Sequence, residues 1–317
     1  MKKTDGRRIS TTVLVLLHGF SGSRASWLPL ANQISWNGPV LIPDLAGSGA
    51  EVWSDWGVAS AFDGRNAPMA SGGLSLDDGN LDLLHSDSLG VDGSKNMEGS
   101  CEVGSKSAEW LLDSGMGIMA QAVEAWLDAQ GVDSFVVVGH SMGGYVALEL
   151  LSRIPHRIAG LGLFHSHPLA DDEEKRNNRR RSLNLIREVG HTRFMDAFVP
   201  ALFAPANLES CSDRIQELRA IASNQSPQNI CRQIEAMMHR KERLNLLLAH
   251  RSLPKWVVLG DQDPVIPLAG AWDWMAGLDN LQLDILPNTA HMGMDECPLH
   301  CVGLFEEFNN FVNRAQK

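Results

Sequence analysis

Six short, unbroken apolar runs rich in β-branched residues recur along the chain, bounded by Gly, Pro and Asp. They are Thr12–Leu17, Pro39–Ile42, Ser134–Val138, Ile158–Phe164, Lys255–Leu259 and Leu281–Ile285. Side chains of a strand point alternately to opposite faces, so a strand with one wet face alternates apolar and polar residues. Runs without alternation suit strands covered on both faces. Helical stretches separate them, which predicts βαβ units with right-handed crossovers. The expected class is α/β, with a mostly parallel central sheet of about six strands flanked by helices. At 317 residues, a chain like this buries about three quarters of its unfolded surface.

Two segments break the rhythm. Residues 51–110 hold eleven acidic and three basic side chains, so −8 of the formal net charge of −11 sits there. The segment is rich in Gly, Ser and Asp, and loops of that length in a compact domain are functional or disordered. It is expected to be a poorly ordered insertion, with Trp53, Trp56 and Phe62 able to dock one end. The second segment, 165–250, interrupts the strand sequence and reads as several helices. Ser226-Pro227 suits an N-cap followed by Pro at the first helical position. Ile230, Ile234, Met237 and Met238 then recur at helical spacing, as do Leu183, Ile186 and Val189 further upstream. The expected organisation is a core of residues 1–164 and 251–317, with 165–250 as a helical cap above the sheet.

Charge and composition narrow the function classes. A net negative chain is a poor general partner for nucleic acid or anionic membrane. No apolar run approaches the roughly 18 residues of a membrane span. The run after the basic N-terminus, Val13 to Leu17, is shorter than a secretory signal requires. A soluble, cytoplasmic protein is expected. Five scattered cysteines argue against a disulfide framework and suit reduced thiols. Cys297 and Cys301, near His291 and His300, make half a metal site at best, because the second Cys pair of a structural zinc site is missing. Neither metal nor cofactor is expected.

The chemistry concentrates in three places. Residues 134–148 read SFVVVGHSMGGYVAL: an apolar strand enters Gly139-His140-Ser141-Met142-Gly143, and a helical pattern follows. This is a GxSxG nucleophile elbow in its strand–turn–helix context. The neighbours of Ser141 must be small for strand and helix to approach, and the helix N-terminus favours developing negative charge. Here the chain resembles the α/β-hydrolase family over most of its length outside 51–110. The resemblance extends to Leu17-His18-Gly19-Phe20 after the first strand, which is similar to the family's HG motif. It implies that the backbone N–H groups of Phe20 and Met142 form an oxyanion hole, with His18 structural. Residues 259–267, LGDQDPVIP, resemble the family's GxxDxxxP loop and imply Asp263 as the triad acid, with Asp261 the nearby rival. Asn288-Thr289-Ala290-His291 follows the last strand, and the resemblance implies His291 as the base, 28 residues after Asp263. The order Ser, Asp, His is that of the fold.

Two departures bear on the substrate mouth. Only about ten residues precede Thr12, so the sheet is expected to be short on that edge. The loop that usually reads DLPGHGxS is Asp44-Leu45-Ala46-Gly47-Ser48-Gly49 here, with Ser in place of His. In the Phe164-His165-Ser166-His167-Pro168 segment, His165 or His167 is a candidate to line the pocket and bind a polar substrate group; the alternative is hydrogen-bonded histidines that close a turn. The run Lys175-Arg176-Asn177-Asn178-Arg179-Arg180-Arg181 is the main basic cluster, a solvated helix face or a site for an anionic substrate or acidic carrier protein. The resemblance implies a serine hydrolase cleaving carboxylic esters of small to medium acyl chains through an acyl-enzyme. Other readings on the same scaffold are a pimeloyl-carrier-protein methyl ester esterase-like activity, C–C bond hydrolysis, acyl transfer, or a non-catalytic ligand receptor.

Overall fold

The computed structural model describes residues 12–48 and 115–315. The expected insertion, with Trp53, Trp56 and Phe62, lies outside the described residues. The strands are β1 (Val13–Leu17), β2 (Val40–Leu41), β3 (Phe135–His140), β4 (Ile158–Phe164), β5 (Lys255–Gly260) and β6 (Leu281–Leu286). Between β1 and β4 lie α1 (Leu28–Ala31), α2 (Gly115–Ala129) and α3 (Met142–Arg153). Between β4 and β5 lie α4 (Glu173–Val189), α5 (His191–Phe198), α6 (Ser212–Ser223), α7 (Pro227–Met238) and α8 (Leu244–Ala249). The chain continues through α9 (Ala271–Met275), α10 (Gly293–Glu296) and α11 (Pro298–Ala315).

The strands form one sheet in the order β2-β1-β3-β4-β5-β6. Every neighbouring pair is parallel. The chain runs outward from β1 to β2, then returns to β3 on the other side of β1. Strand order therefore reverses between β1 and β3, and a crevice opens at their C-terminal ends, where open α/β sheets bind ligands. β3 and β5 are buried at every residue, as unbroken apolar runs require. β6 departs from the expectation. It is an edge strand, half-buried over most of its length, and carries Asp284, which accepts a hydrogen bond from Trp256 Nε1 at 2.7 Å. With a neighbour on one side only, it does not need apolar residues throughout.

On one face, α11 closes the core with Phe305 and Phe308 against Trp256, both ring pairs at 4.9 Å. The region between β4 and β5 is helical, as expected, although its first helix starts only at Glu173. Asp172 caps α4 by accepting from the Lys175 N–H, and Leu183 and Ile186 face inward. Val189 does not: it ends the last turn and is exposed. α7 begins as predicted, with the Ser226 side chain accepting from the Asn229 N–H and Pro227 in the first turn. No helix among the described residues is long and apolar enough to cross a membrane. Cys231 is disulfide-bonded, which corrects the expectation of reduced thiols throughout, whereas Cys211, Cys297 and Cys301 are free.

Trp256 is wholly buried between Phe164, Phe305 and Phe308. Trp256→Ala is expected to lower unfolding free energy by about 3–5 kcal/mol, through lost burial and the cavity left behind. Urea denaturation monitored by circular dichroism measures this; a loss below about 1 kcal/mol would show that the α11 face is not part of the cooperative core.

Candidate active site

Ser141 occupies the single residue between β3 and α3, with φ 51° and ψ −114°. Left-handed backbone at a non-glycine residue costs on the order of 1–3 kcal/mol and persists only where its surroundings dictate it. Here they do. The Ser141 N–H donates to Phe164 O at 2.9 Å, and Ser166 Oγ donates to Ser141 O at 2.8 Å. The flanking glycines are sterically required. A Cβ on Gly139 would lie 2.2 Å from Gly143 O, and one on Gly143 would lie 2.4 Å from Leu17 O. Strand, elbow and the end of β1 thus pack backbone on backbone. Met142 opens α3, so its N–H is one of the first-turn donors without a partner inside the helix.

His291 reaches Ser141 from the turn after β6. Its Nε2 accepts from Ser141 Oγ at 2.8 Å, and its Nδ1–H donates to Asp263 Oδ2 at 2.8 Å. Its backbone is fixed independently, N–H to Leu202 O at 2.9 Å and C=O accepting from His140 Nε2 at 2.9 Å. Asp263 is buried after β5, and its other oxygen, Oδ1, accepts from the N–H groups of Val265 and Ile266 at 2.8 and 2.9 Å. Asp261, the rival acid, is exposed and accepts only from the Thr289 N–H at 3.2 Å. Burial alone would raise the Asp263 carboxyl, but the imidazoles of His291 and His165 outweigh it and hold the group well below the usual carboxylate range.

The remaining histidines are structural or sit outside the cavity. His18 is buried, donates through Nδ1 to Gly19 O and accepts the Leu45 N–H at Nε2, fixing the turn that carries Phe20. His140, the variable residue of the elbow, packs its ring 5.1 Å from that of His291. Burial first, then the neighbouring His291 and His165, push it well below the ordinary histidine range, so it is neutral. Of the two readings of His165 and His167, pocket lining does not hold: neither residue lines the cavity above Ser141. His165 is wholly buried behind the site and donates Nδ1–H to Asp263 Oδ2 at 2.9 Å. His167 packs against Tyr145 and Arg240 on the far side of that ring. The segment turns inward after β4, where the left-handed backbone of His165 (φ 48°) drives it beneath the loop of Asp263.

Over Ser141 and His291 lies a cavity of about 130 Å³. Phe194, Phe198, Val199, Leu202, Ile234 and Met237 give it an apolar wall from the helical region, and Arg179 and Ser182 add polar groups from α4. Phe20 also lines it and meets Phe198 edge to face at 5.5 Å. Among the described residues one trio has the donor types for a metal: His165, Asp263 and His291. Its geometry fits hydrogen bonding instead, because both Nδ1 atoms face one carboxylate oxygen at N–H···O distance, and a protonated ring nitrogen has no lone pair for a metal. Cys297 and Cys301 lie 4.0 Å apart, with both thiols on Gly293 O, and His300 is exposed and not part of the group.

The sequence model of the family described as "alpha/beta hydrolase fold" matches residues 12–298. The chain belongs to that family. A putative carbamate hydrolase of Agrobacterium fabrum, RutD, is 26% identical over 194 residues, which is 59% of this chain and 72% of that protein. A thermophilic esterase from Thermogutta terrifontis superposes with a TM-score of 0.69 at 21% identity, over 95% of this chain and 90% of that one. The enol-lactonase from Burkholderia xenovorans LB400 also gives 0.69, at 15% identity, over 96% and 93%. These likenesses support a hydrolase enzyme of the α/β-hydrolase fold.

Within that α/β-hydrolase frame, Glu296 is a residue that no sequence signal marked. Its Oε1 accepts the N–H groups of Ala290 and Met292, either side of His291, at 3.0 and 3.1 Å. Its Oε2 accepts from the Ala204 N–H and from Asn207 Nδ2, each at 2.8 Å, tying the His291 turn to the helical region. Hydrogen bonds to a charged acceptor are worth about 1.5–3 kcal/mol each and do not simply add. Glu296→Ala is expected to cost about 2–4 kcal/mol in urea denaturation, with Glu296→Gln less damaging. Equal stability of all three proteins would show that the turn holds itself.

Proposed function

We propose that the protein is a serine hydrolase that cleaves carboxylic esters of small to medium acyl chains. The observation that carries this reading is the unbroken chain of hydrogen bonds Ser141 Oγ to His291 Nε2 and His291 Nδ1 to Asp263 Oδ2, each 2.8 Å, at the floor of an apolar cavity. In this reading Ser141 Oγ attacks the ester carbonyl while its proton passes to His291 Nε2. Asp263 fixes the Nδ1–H tautomer and stabilises the imidazolium without taking its proton. The tetrahedral oxyanion accepts from the Phe20 and Met142 N–H groups. Collapse expels the alcohol, which takes the proton from His291, and leaves an acyl-enzyme. Water deprotonated by His291 then attacks that ester and releases Ser141.

The test is hydrolysis of p-nitrophenyl esters from acetate to laurate. Turnover is expected to peak at short to medium chains, which can pack against the apolar wall of Phe194, Phe198, Val199 and Leu202. Ser141→Ala is expected to reduce kcat by about 10⁴-fold or more with the fold retained, and a serine-directed phosphonate should label Ser141 alone. Wild-type turnover that survives Ser141→Ala would overturn the reading.

A further observation bears on the acyl group. Of the basic run, Arg179 is the residue that reaches the cavity, where among the described residues its Nη1 has the weak acceptor Met237 Sδ at 3.5 Å. It bonds Asp171 through Nε, and that same buried carboxylate also pairs with Arg240, so two guanidiniums share one acid. Arg180 and Arg181 point outward to Glu173, Asn177 and Asn178. This favours a substrate with its own remote carboxylate over docking of an acidic carrier protein. An aryl ester of a dicarboxylic acid half-amide and of its free acid separates the two cases. Arg179→Met is expected to raise KM for the free acid about tenfold and leave the neutral analogue nearly unchanged; equal effects on both would refute the anionic preference.

A further inference from the structure

We propose that His165 is a positioning residue of this site: it shares the Asp263 carboxylate with His291 and tunes how strongly that carboxylate supports the His291 imidazolium. The inference rests on the serine hydrolase reading for its kinetic consequence, but the shared carboxylate can be tested without it.

Four features carry it. His165 Nδ1 and His291 Nδ1 lie 2.9 and 2.8 Å from the same atom, Asp263 Oδ2. The two rings meet edge to face, with centroids 5.7 Å apart and planes at 71°, so both can aim an N–H at that oxygen. His165 holds its place through a left-handed backbone, φ 48°, which a residue with a side chain adopts at a cost. Its far nitrogen, Nε2, is buried with no hydrogen-bond partner among the described residues and lies over Gly293, where an added Cβ would stand 2.5 Å from it. A hydrocarbon ring would fill the same space without an unpaired nitrogen. What imidazole adds is one N–H aimed at Asp263.

That N–H changes the chemistry of the acid. With Val265 and Ile266 on Oδ1 and two imidazoles on Oδ2, the carboxylate accepts four hydrogen bonds, two per oxygen, which fills its lone-pair sites. A carboxylate so occupied is a weaker base. When His291 takes the Ser141 proton, its Nδ1 proton then stays on nitrogen, and Nε2–H remains ready for the leaving group. Charged and titratable groups face His165 from every side: Asp263 after β5, His291 after β6, His140 at the end of β3 with its ring 6.1 Å away, and Glu296 on α10. Burial is the largest influence on His165 and holds it below the ordinary histidine range, so it donates as a neutral ring.

The sign of the effect follows. A second donor on Oδ2 weakens the support that Asp263 gives to the His291 cation, so losing it makes His291 easier to protonate. The acidic limb of kcat/KM, where activity appears as the base deprotonates, should then move to higher pH. His165→Asn keeps an N–H near the position of Nδ1 and tolerates the left-handed backbone; His165→Gly keeps the backbone and removes the donor. Full pH profiles on the preferred p-nitrophenyl ester are expected to show H165N overlying the wild type and H165G displaced upward by about one pH unit. His165→Phe, which fills the space without a donor, serves where H165G does not fold and should be displaced in the same sense. An unshifted limb in H165G or H165F, whatever their thermal stability, would make His165 a packing residue and overturn the proposal. Independently of turnover, proton NMR of the whole protein labelled with [¹⁵N]histidine should show two imidazole N–H signals from donors to a carboxylate, further downfield than those of His18 and His140, which donate to backbone carbonyls. One should vanish in H165N and the other in His291→Gln. A single such signal in the wild type would overturn the proposal, while two signals in a protein that hydrolyses no ester would uphold the shared carboxylate and refute only the ester reading.

Discussion

The site depends on one buried anion. Asp263 sits away from water, where an unpaired carboxylate would be driven to protonate. It stays ionised because four donors converge on it from three parts of the chain: His165 after β4, its own loop after β5, and His291 after β6. The two histidines are held in turn by backbone contacts unrelated to the carboxylate, His165 through its N–H on Val258 O. His291 is fixed through Leu202 and His140, and the turn around it through Glu296. The carboxylate therefore acts as a knot joining three strand ends, and the orientation of the imidazole facing Ser141 follows from it.

A parallel sheet makes such a knot possible. All six strands point the same way, so their C-terminal ends form one edge, and residues far apart in sequence meet there. Phe20 follows β1, Ser141 follows β3, His165 follows β4, Asp263 follows β5 and His291 follows β6. Ser141 and His291 are 150 positions apart yet hydrogen-bonded. The helices between β4 and β5 then line the space above that edge with apolar side chains, which lowers the local polarity and strengthens the electrostatic interactions beneath them.

What was legible in the sequence was what a local rule fixes. Unbroken Val, Leu and Ile runs required strands buried on both faces, and the sheet followed. Gly139 and Gly143 flanking Ser141 marked a turn where backbone meets backbone, and the Cβ clashes at both positions give the physical reason. Asp263 was separable from Asp261 only by motif resemblance, whereas burial and bonding make the contrast structural. The misses came where the decisive fact is a long-range contact. His165 looked like a mouth residue because it follows a strand in a His-rich loop; a positive φ turned it under the floor instead. Glu296 and Ser166 carry no pattern of their own, and their role exists only once α10 and the elbow have packed. β6 was misjudged although its own sequence, LQLDIL, alternates apolar and polar residues as a strand with one wet face does.

Three imidazoles crowd the floor of the cavity: His140, His165 and His291, with ring separations between 5.1 and 6.1 Å. Three cations at that spacing, out of water and facing one carboxylate, would repel strongly. Burial resolves the conflict by holding His140 and His165 neutral, each with a fixed proton: Nε2–H of His140 on the His291 carbonyl, and Nδ1–H of His165 on Asp263. In the proposed reaction one positive charge forms at a time, on His291, the ring that among the described residues touches both Ser141 and the acid. The two silent histidines thus supply oriented N–H dipoles without net charge. A lysine or arginine in either place would carry a permanent charge into the same pocket and disfavour the imidazolium. Neutral donors of fixed direction let the floor be polar enough to hold a carboxylate and still leave room for a transient cation beside it.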